Sequence, residues 1–301
     1  MTKGAYPSPS AVEHAIKSAA EKAAKADPSL GTSARIQQEY FRRFLSRIFF
    51  EGEDSQWMLK GGTSILARVP SARGTTDIDL HRQQSSLGDA LDDLKRLASI
   101  DLGDFFTFVH TGQEKSVNNQ QDKAQGFTVK FDLYIGDQKH GNLKIDLVVD
   151  VQVTDEPLVI APANGLDLPK LRTSDYRLYP SVDQIADKVC ATLATYRGKP
   201  SSREWDLVDL VVFATTEPLD GAKLRTALQF EAVVRNLNLP NSFHIPTNWG
   251  SRYKKDAKSV PSCAKYRTVE LAMGLMSLFI DPILRNEVDG LTWDPALLKW
   301  V

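Results

Sequence analysis

The chain has 301 residues, 42% hydrophobic and 25% charged, which fits a folded, soluble protein with one large or two ordinary globular domains. Its formal net charge of -1 supplies no global field for nucleic acid, so any such contact must come from a local basic patch. There is no signal-like segment and no apolar run long enough to span a bilayer, so the cytoplasm is the expected compartment; Cys190 and Cys263 could pair, but Cys190 lies within an apolar helical pattern and reads as a buried, reduced thiol.

Residues 8–26 are Ala-rich and predict a helix, with Ser10 as its cap and Glu13 three positions later in a capping-box pattern. Sparse apolar content argues for a weakly packed docking helix, ended by the turn at Asp27–Gly31. Residues 33–50 predict a core helix capped by Ser33, with Ile36, Tyr40, Phe41, Phe44, Leu45 and Ile48 recurring at helical spacing. Arg42, Arg43 and Arg47 fall near its opposite side and read as a solvated face in preference to a nucleic-acid stripe.

Trp57 to Leu80 is the densest stretch. Trp57, Met58 and Leu59 predict a strand, Gly61 and Gly62 permit a tight turn, and Thr63 to Val69 can open a helix. Unpaired N–H groups and the dipole at such a helix start attract anions, so the unit suits a triphosphate. Asp77 and Asp79 lie two apart on an apparent strand and project from one face, where a divalent cation such as Mg²⁺ would relieve their repulsion. Either feature alone is ambiguous, since Gly-Gly marks any turn and Asp-x-Asp is common on a solvated edge strand.

Leu87 to Ile100 predicts a helix covering the sheet, followed by strands over 105–109, 127–135 and 143–153. The polar run 118–126 carries no chemistry. Leu143 to Asp150 is nearly continuous in apolar residues and predicts a buried central strand. Asp146 within it is the candidate third ligand, or else one half of a local ion pair; Asp150 is the less favoured substitute. The Pro-bearing segment Leu158–Leu178 looks like a crossing between domains. Helices then follow, one started by Ser181 as cap and carrying Lys188, the next over Ser202–Thr215 with Asp206 and Asp209 on one face, and two more over 223–237 and 263–284. This gives N-terminal helices over 1–50, a catalytic unit over 51–165 and a helical unit over 166–301. Between Trp249 and Lys265, Arg252, Tyr253, Lys254, Lys255 and Lys258 interleave basic and aromatic residues, which suits a phosphate backbone with a stacked base or simply a solvated charge run. The histidines lack metal-ligand spacing and there is no nucleophile elbow, which disfavours zinc and serine-hydrolase chemistry.

The Lys60-Gly61-Gly62-Thr63 wording, the helix and the Arg73–Leu80 stretch ending in Asp-Ile-Asp resemble the signature of the polymerase-beta-like nucleotidyltransferase superfamily, in its AbiEii-type toxin branch that includes the MenT-type toxins. The resemblance implies an α/β (α+β) fold, in which a mixed-sheet catalytic domain is followed by a helical domain closing over the nucleotide. It implies Asp77, Asp79 and Asp146 as ligands of one or two Mg²⁺ ions, and Lys60, Gly61, Gly62, Thr63, Ser64 and Arg73 as nucleotide-binding residues. Lys188 followed by Arg203, Asp206 and Asp209 matches the branch's second motif, a lysine on one helix and Arg-x-x-Asp-Leu-x-Asp-Leu on the next. Lys188 and Asp206 then join the three aspartates as catalytic residues. The activity implied is transfer of a nucleoside monophosphate from an NTP to RNA, such as the 3′ end of tRNA, which blocks translation. A cognate antitoxin would be the partner, and Thr75 or Thr76 would be sites of regulatory phosphorylation. Two other readings stay open at this level: a nucleotidyltransferase modifying a small molecule such as an antibiotic, and a silent nucleotide-binding module.

Overall fold

The computed structural model describes residues 6–115, 126–149, 152–163 and 165–301. Helices α1 (Pro9–Ala26) and α2 (Thr32–Ile48) precede strand β1 (Trp57–Lys60), helix α3 (Gly61–Arg68), β2 (Ile78–Arg82) and α4 (Leu87–Ala98). Three long strands follow, β3 (Phe106–Lys115), β4 (Gly126–Ile135) and β5 (Gln138–Val149), and then two short ones, β6 (Leu158–Ile160) and β7 (Tyr176–Leu178). All seven form one mixed sheet in the order β3-β4-β5-β2-β1-β7-β6. β2 is parallel to β5 and β1 to β7, whereas β1 and β2 are antiparallel. Asp150 and most of the 118–126 run lie outside the described residues.

Strand periodicity divides the chemistry between two faces. Ile78 and Leu80 on β2, with Leu143, Ile145, Leu147 and Val149 on β5, turn to one side and are buried under Val12, Ile16, Phe44, Leu45, Ile48, Leu94 and Leu97 of α1, α2 and α4. Asp79 and Asp146 alternate with these residues and face the other way. The expectation of a β5 buried on both faces is therefore corrected: one face is core, and the Asp146 side chain is 31% exposed on the other.

The N-terminal helices differ from the sequence reading in three respects. Ser8, not Ser10, caps α1, its Oγ accepting from the Ala11 amide at 3.2 Å with Pro9 as first helical residue. α2 begins at Thr32 after Gly31, without a side-chain cap from Ser33. Arg42, Arg43 and Arg47 are buried, not solvated, because α2 is wedged between the sheet and the segment before β7. Arg43 pairs with Glu39 at 2.8 Å and donates to the Arg172 carbonyl; Arg47 pairs with Asp104 at 2.6 Å and donates to the Phe106 carbonyl.

Beyond β7 come α5 (Ser181–Leu193), the small pairing of β8 (Thr195–Tyr196) with β9 (Lys199–Pro200), α6 (Glu204–Thr216), β10 (Leu219–Asp220) and α7 (Gly221–Val234). Then α8 (Ser251–Ala257), α9 (Val269–Phe279) and α10 (Asp281–Leu284) lead to β11 (Thr292–Asp294), which pairs with β10, and β12 (Lys299–Trp300), which pairs with β11. Pro180 takes the cap position of α5 in place of Ser181. The single helix expected over 263–284 is broken, because Thr268 caps α9 and Pro282, lacking an N–H, starts α10. These helices enclose a second core around Val189, Leu207, Leu210, Val211, Leu228, Leu275 and Phe279. Leu158–Leu178 supplies β6, β7 and the first-core residues Leu168, Leu171 and Tyr176 before the chain enters α5. α3 touches both cores, Ile65 in the second and Ala67 in the first. Cys190 and Cys263 are buried and unbridged, and among the described residues no helix is long and apolar enough to cross a membrane.

Asp104→Ala would strand the Arg47 guanidinium, which is 0% exposed. The expected cost is about 3–5 kcal/mol of unfolding free energy, to be read from urea melts beside the wild type.

Candidate active site

Sheet register builds the floor of a cleft of about 780 Å³. Lys60 lies opposite Asp79, Asp79 beside Asp146, and Asp146 opposite Thr128, so one row crosses β1, β2, β5 and β4 on the face away from the first core. Asp77 immediately precedes β2, and Thr75 Oγ1 donates to its Oδ1 at 3.0 Å. Thr128 Oγ1 donates to Asp146 Oδ1 at 2.9 Å, while the Lys144 ammonium lies 3.5 Å from Asp146 Oδ2 and 4.0 Å from Asp77 Oδ2.

Gly61 meets two requirements at once. Its φ is +62, and a Cβ there would stand 1.8 Å from Asp79 Oδ2, so the Asp79 carboxylate packs directly on the bare turn. Gln184 of α5 fastens that turn by donating from Nε2 to the Gly61 carbonyl at 2.8 Å. Burial, and then Asp77 and Asp146, push the Asp79 carboxyl up to about 6, with Lys60 and Lys188 offsetting part of the effect.

The facing wall is a buried knot of alternating charge. Arg73 forks onto Asp209 with two bonds of 2.8 Å, Lys188 bridges Asp209 at 2.7 Å and Asp206 at 2.9 Å, and Arg203 pairs with Asp206. Burial alone would depress the Lys188 ammonium, but Asp206 and Asp209 raise it above lysine's usual range. Burial alone would likewise raise Asp209, but Lys188 and Arg73 hold it low. Next to the knot, Arg235 pairs with Asp187 and Glu231, each at 2.5 Å.

Asp77, Asp79, Asp146, Lys60, Gly61, Gly62, Arg73, Thr75, Thr76, Lys188, Arg203 and Asp206 all line this one cleft. Three expected residues do not. Thr63 Oγ1 donates to the Asp77 carbonyl at 3.0 Å, Ser64 Oγ donates to Gln184 Oε1 at 3.4 Å, and Asp209 is fully buried behind Lys188. The aromatic–basic segment is corrected too: Trp249 and Tyr253 are buried, which leaves the basic residues without those rings as stacking surfaces. Lys144, Gln184, Asp187, Trp205 and Arg235 were missed as cleft residues, while Arg252 of the basic segment does line the cleft. Lys144 was within reach, since it shares a strand face with Asp146; Arg235, at the end of a distant helix, carried no local signal.

Among the described residues no three histidine, cysteine or carboxylate side chains are drawn into a closed metal cage. The donor chemistry nevertheless suits Mg²⁺, which binds through one or two carboxylates and completes its shell with substrate phosphates and water. The mutual repulsion that lifts Asp79 is what such an ion would relieve.

The family model described as nucleotidyl transferase AbiEii toxin, type IV TA system, matches residues 43–273. The chain belongs to that family. It is a nucleotidyltransferase, and membership implies an NTP substrate and an antitoxin partner. Among solved structures it is similar to JHP933 from Helicobacter pylori, at 15% identity over 86% of this chain and 96% of that one, with a TM-score of 0.44. It is also similar to MenT4, a nucleotidyltransferase toxin from Mycobacterium tuberculosis, at 15% identity over 70% and 68%, with a TM-score of 0.47. No curated protein matches.

An Asp79 carboxyl raised to about 6 costs stability because the unfolded chain ionises there while the folded carboxyl still holds its proton, so the cost is small near pH 4, grows from there to about pH 6 and is constant above it. Without divalent cations, Asp79→Asn is therefore expected to melt about 3–6 °C above the wild type at pH 7.5, with the gap closing at pH 4. Differential scanning fluorimetry across that range checks it; equal melting at pH 7.5 would contradict it.

Proposed function

We propose that this AbiEii-family enzyme transfers a nucleoside monophosphate from an NTP to a hydroxyl at the 3′ end of transfer RNA, acting in the cytoplasm and blocking translation. The observation that carries the reading is the cross-strand row of Asp79 and Asp146, which with Asp77 just before β2 sets three carboxylates in one cleft with Lys188, Arg203 and Arg73. Asp77, Asp79 and Asp146 would hold one or two Mg²⁺ ions, which when bound neutralise phosphate charge and lower the pKa of the acceptor hydroxyl.

The chain's own groups do the rest. The α3 start at Gly61–Gly62 offers backbone N–H groups and a positive dipole end to phosphate oxygens, while the Thr63 and Ser64 hydroxyls are engaged elsewhere. Asp206 and Asp209 hold the Lys188 ammonium in its charged form, where it offsets charge on the departing pyrophosphate. The acceptor oxygen bonds to the α-phosphorus as the bond from that phosphorus to the pyrophosphate oxygen breaks, and the hydroxyl proton passes to the carboxylate cluster.

Incubating the protein with total RNA, Mg²⁺ and each α-labelled NTP should place label on RNA, and Asp79→Ala should reduce it at least about 100-fold. Label only on a small hydroxylated acceptor would overturn the RNA assignment. Thr75 and Thr76 line the cleft beside Asp77, so a phosphate on either would repel the incoming triphosphate, and we assign silencing by the antitoxin partner to this modification. Coexpression with that partner should add one phosphate to the Thr75–Thr76 peptide by mass spectrometry and abolish labelling; silencing that survives Thr75→Val with Thr76→Val would exclude it.

A further inference from the structure

The cleft wall is mostly charged or hydroxyl-bearing, and Trp205 is the only aromatic side chain among the described residues that line it. Its indole is half-buried, one residue before Asp206 at the start of α6. Two guanidinium groups lie over it, that of Arg252 at 4.4 Å from the ring centroid and that of Arg203 at 5.8 Å. Arg203 is committed to Asp206, but Arg252 is 57% exposed and lies 3.7 Å from Asp256, a loose contact.

We propose that Trp205 and Arg252 form a stacking platform for a nucleobase at the mouth of the cleft, that of the NTP or that of the RNA's terminal nucleotide. The inference rests on the nucleotide-transfer reading of the site. Every base has a π-face, and indole rings and guanidinium planes both stack on it while the guanidinium edge adds hydrogen-bond donors.

The platform is built on a fixed mount. Glu204 Oε2 accepts from the amides of Gly250 at 2.9 Å and Tyr253 at 2.8 Å, the Trp249 indole donates to the Ser201 carbonyl at 2.8 Å, and the Tyr253 hydroxyl donates to the Tyr266 carbonyl. The Glu204 bonds fasten the start of α8 to the first turn of α6, and the other two brace the segments on either side, which keeps Arg252 close to Trp205. Lys254 and Lys255, exposed on the same helix, add positive field along the approach.

The test measures NTP binding by calorimetry with Mg²⁺ and acceptor-RNA binding by fluorescence anisotropy, for wild type, Trp205→Leu, Trp205→Phe and Arg252→Ala. Arg252 is exposed, so its variant keeps the fold and supplies an answer even if Trp205→Leu melts early. Trp205→Leu and Arg252→Ala should each weaken one ligand by about 5- to 150-fold, and Trp205→Phe should retain most of the affinity. A loss confined to NTP assigns the triphosphate's base, and a loss confined to RNA assigns the acceptor's base. Unchanged binding of both ligands in Arg252→Ala and Trp205→Phe, with no selective loss in Trp205→Leu, overturns the platform while leaving the transfer reading intact. A wild type that binds no NTP overturns the transfer reading, and the platform with it.

Discussion

Asp79 has Asp146 as its cross-strand neighbour and Asp77 two positions before it, and the repulsion among these three carboxylates is the constraint to which the surrounding structure answers. Gly61 removes the Cβ that would collide with one of them, Thr75 and Thr128 each donate a hydroxyl hydrogen, and Lys60 and Lys144 place positive charge nearby. None of these neighbours cancels the cluster outright. That residual demand for positive charge is what a divalent cation, under the function proposed above, would meet.

The facing wall solves the opposite problem. Arg73, Lys188 and Arg203 are held in a largely buried setting by two carboxylates, each shared between two cations, so one unit of positive charge is left over toward the cleft. Removing Asp209 would cost Arg73 its fork and leave Lys188 on Asp206 alone, and removing Asp206 would cost Arg203 that ion pair and leave Lys188 on Asp209 alone. Arg73 matters beyond its charge. It sits in the loop leading to Asp77, and its fork onto Asp209 of α6 ties that loop to the helical wall through side chains as well as through the chain.

Much of the floor was legible in the sequence because period-two alternation and a Gly-Gly turn are local signals. Asp77, Asp79 and the Gly61 turn fell where the pattern placed them. Asp146 was selected for a partly mistaken reason: its strand is buried on one face only, and the apolar run around it hid an ordinary alternation. What failed depended on partners distant in sequence. Arg43 and Arg47 looked solvated until the segment before β7 covered them, and the Thr63 and Ser64 hydroxyls look outward in sequence but are engaged by Asp77 and Gln184. Composition could not reveal that Tyr253 is interior while Arg252 beside it reaches the cleft.

Helix α3 is eight residues long and embeds Ile65 in one core and Ala67 in the other. A rigid rod anchored in two close-packed interiors cannot rotate without shearing both. Any displacement of the sheet against the helices beyond β7 would therefore disturb the packing of α3 in one interior or the other.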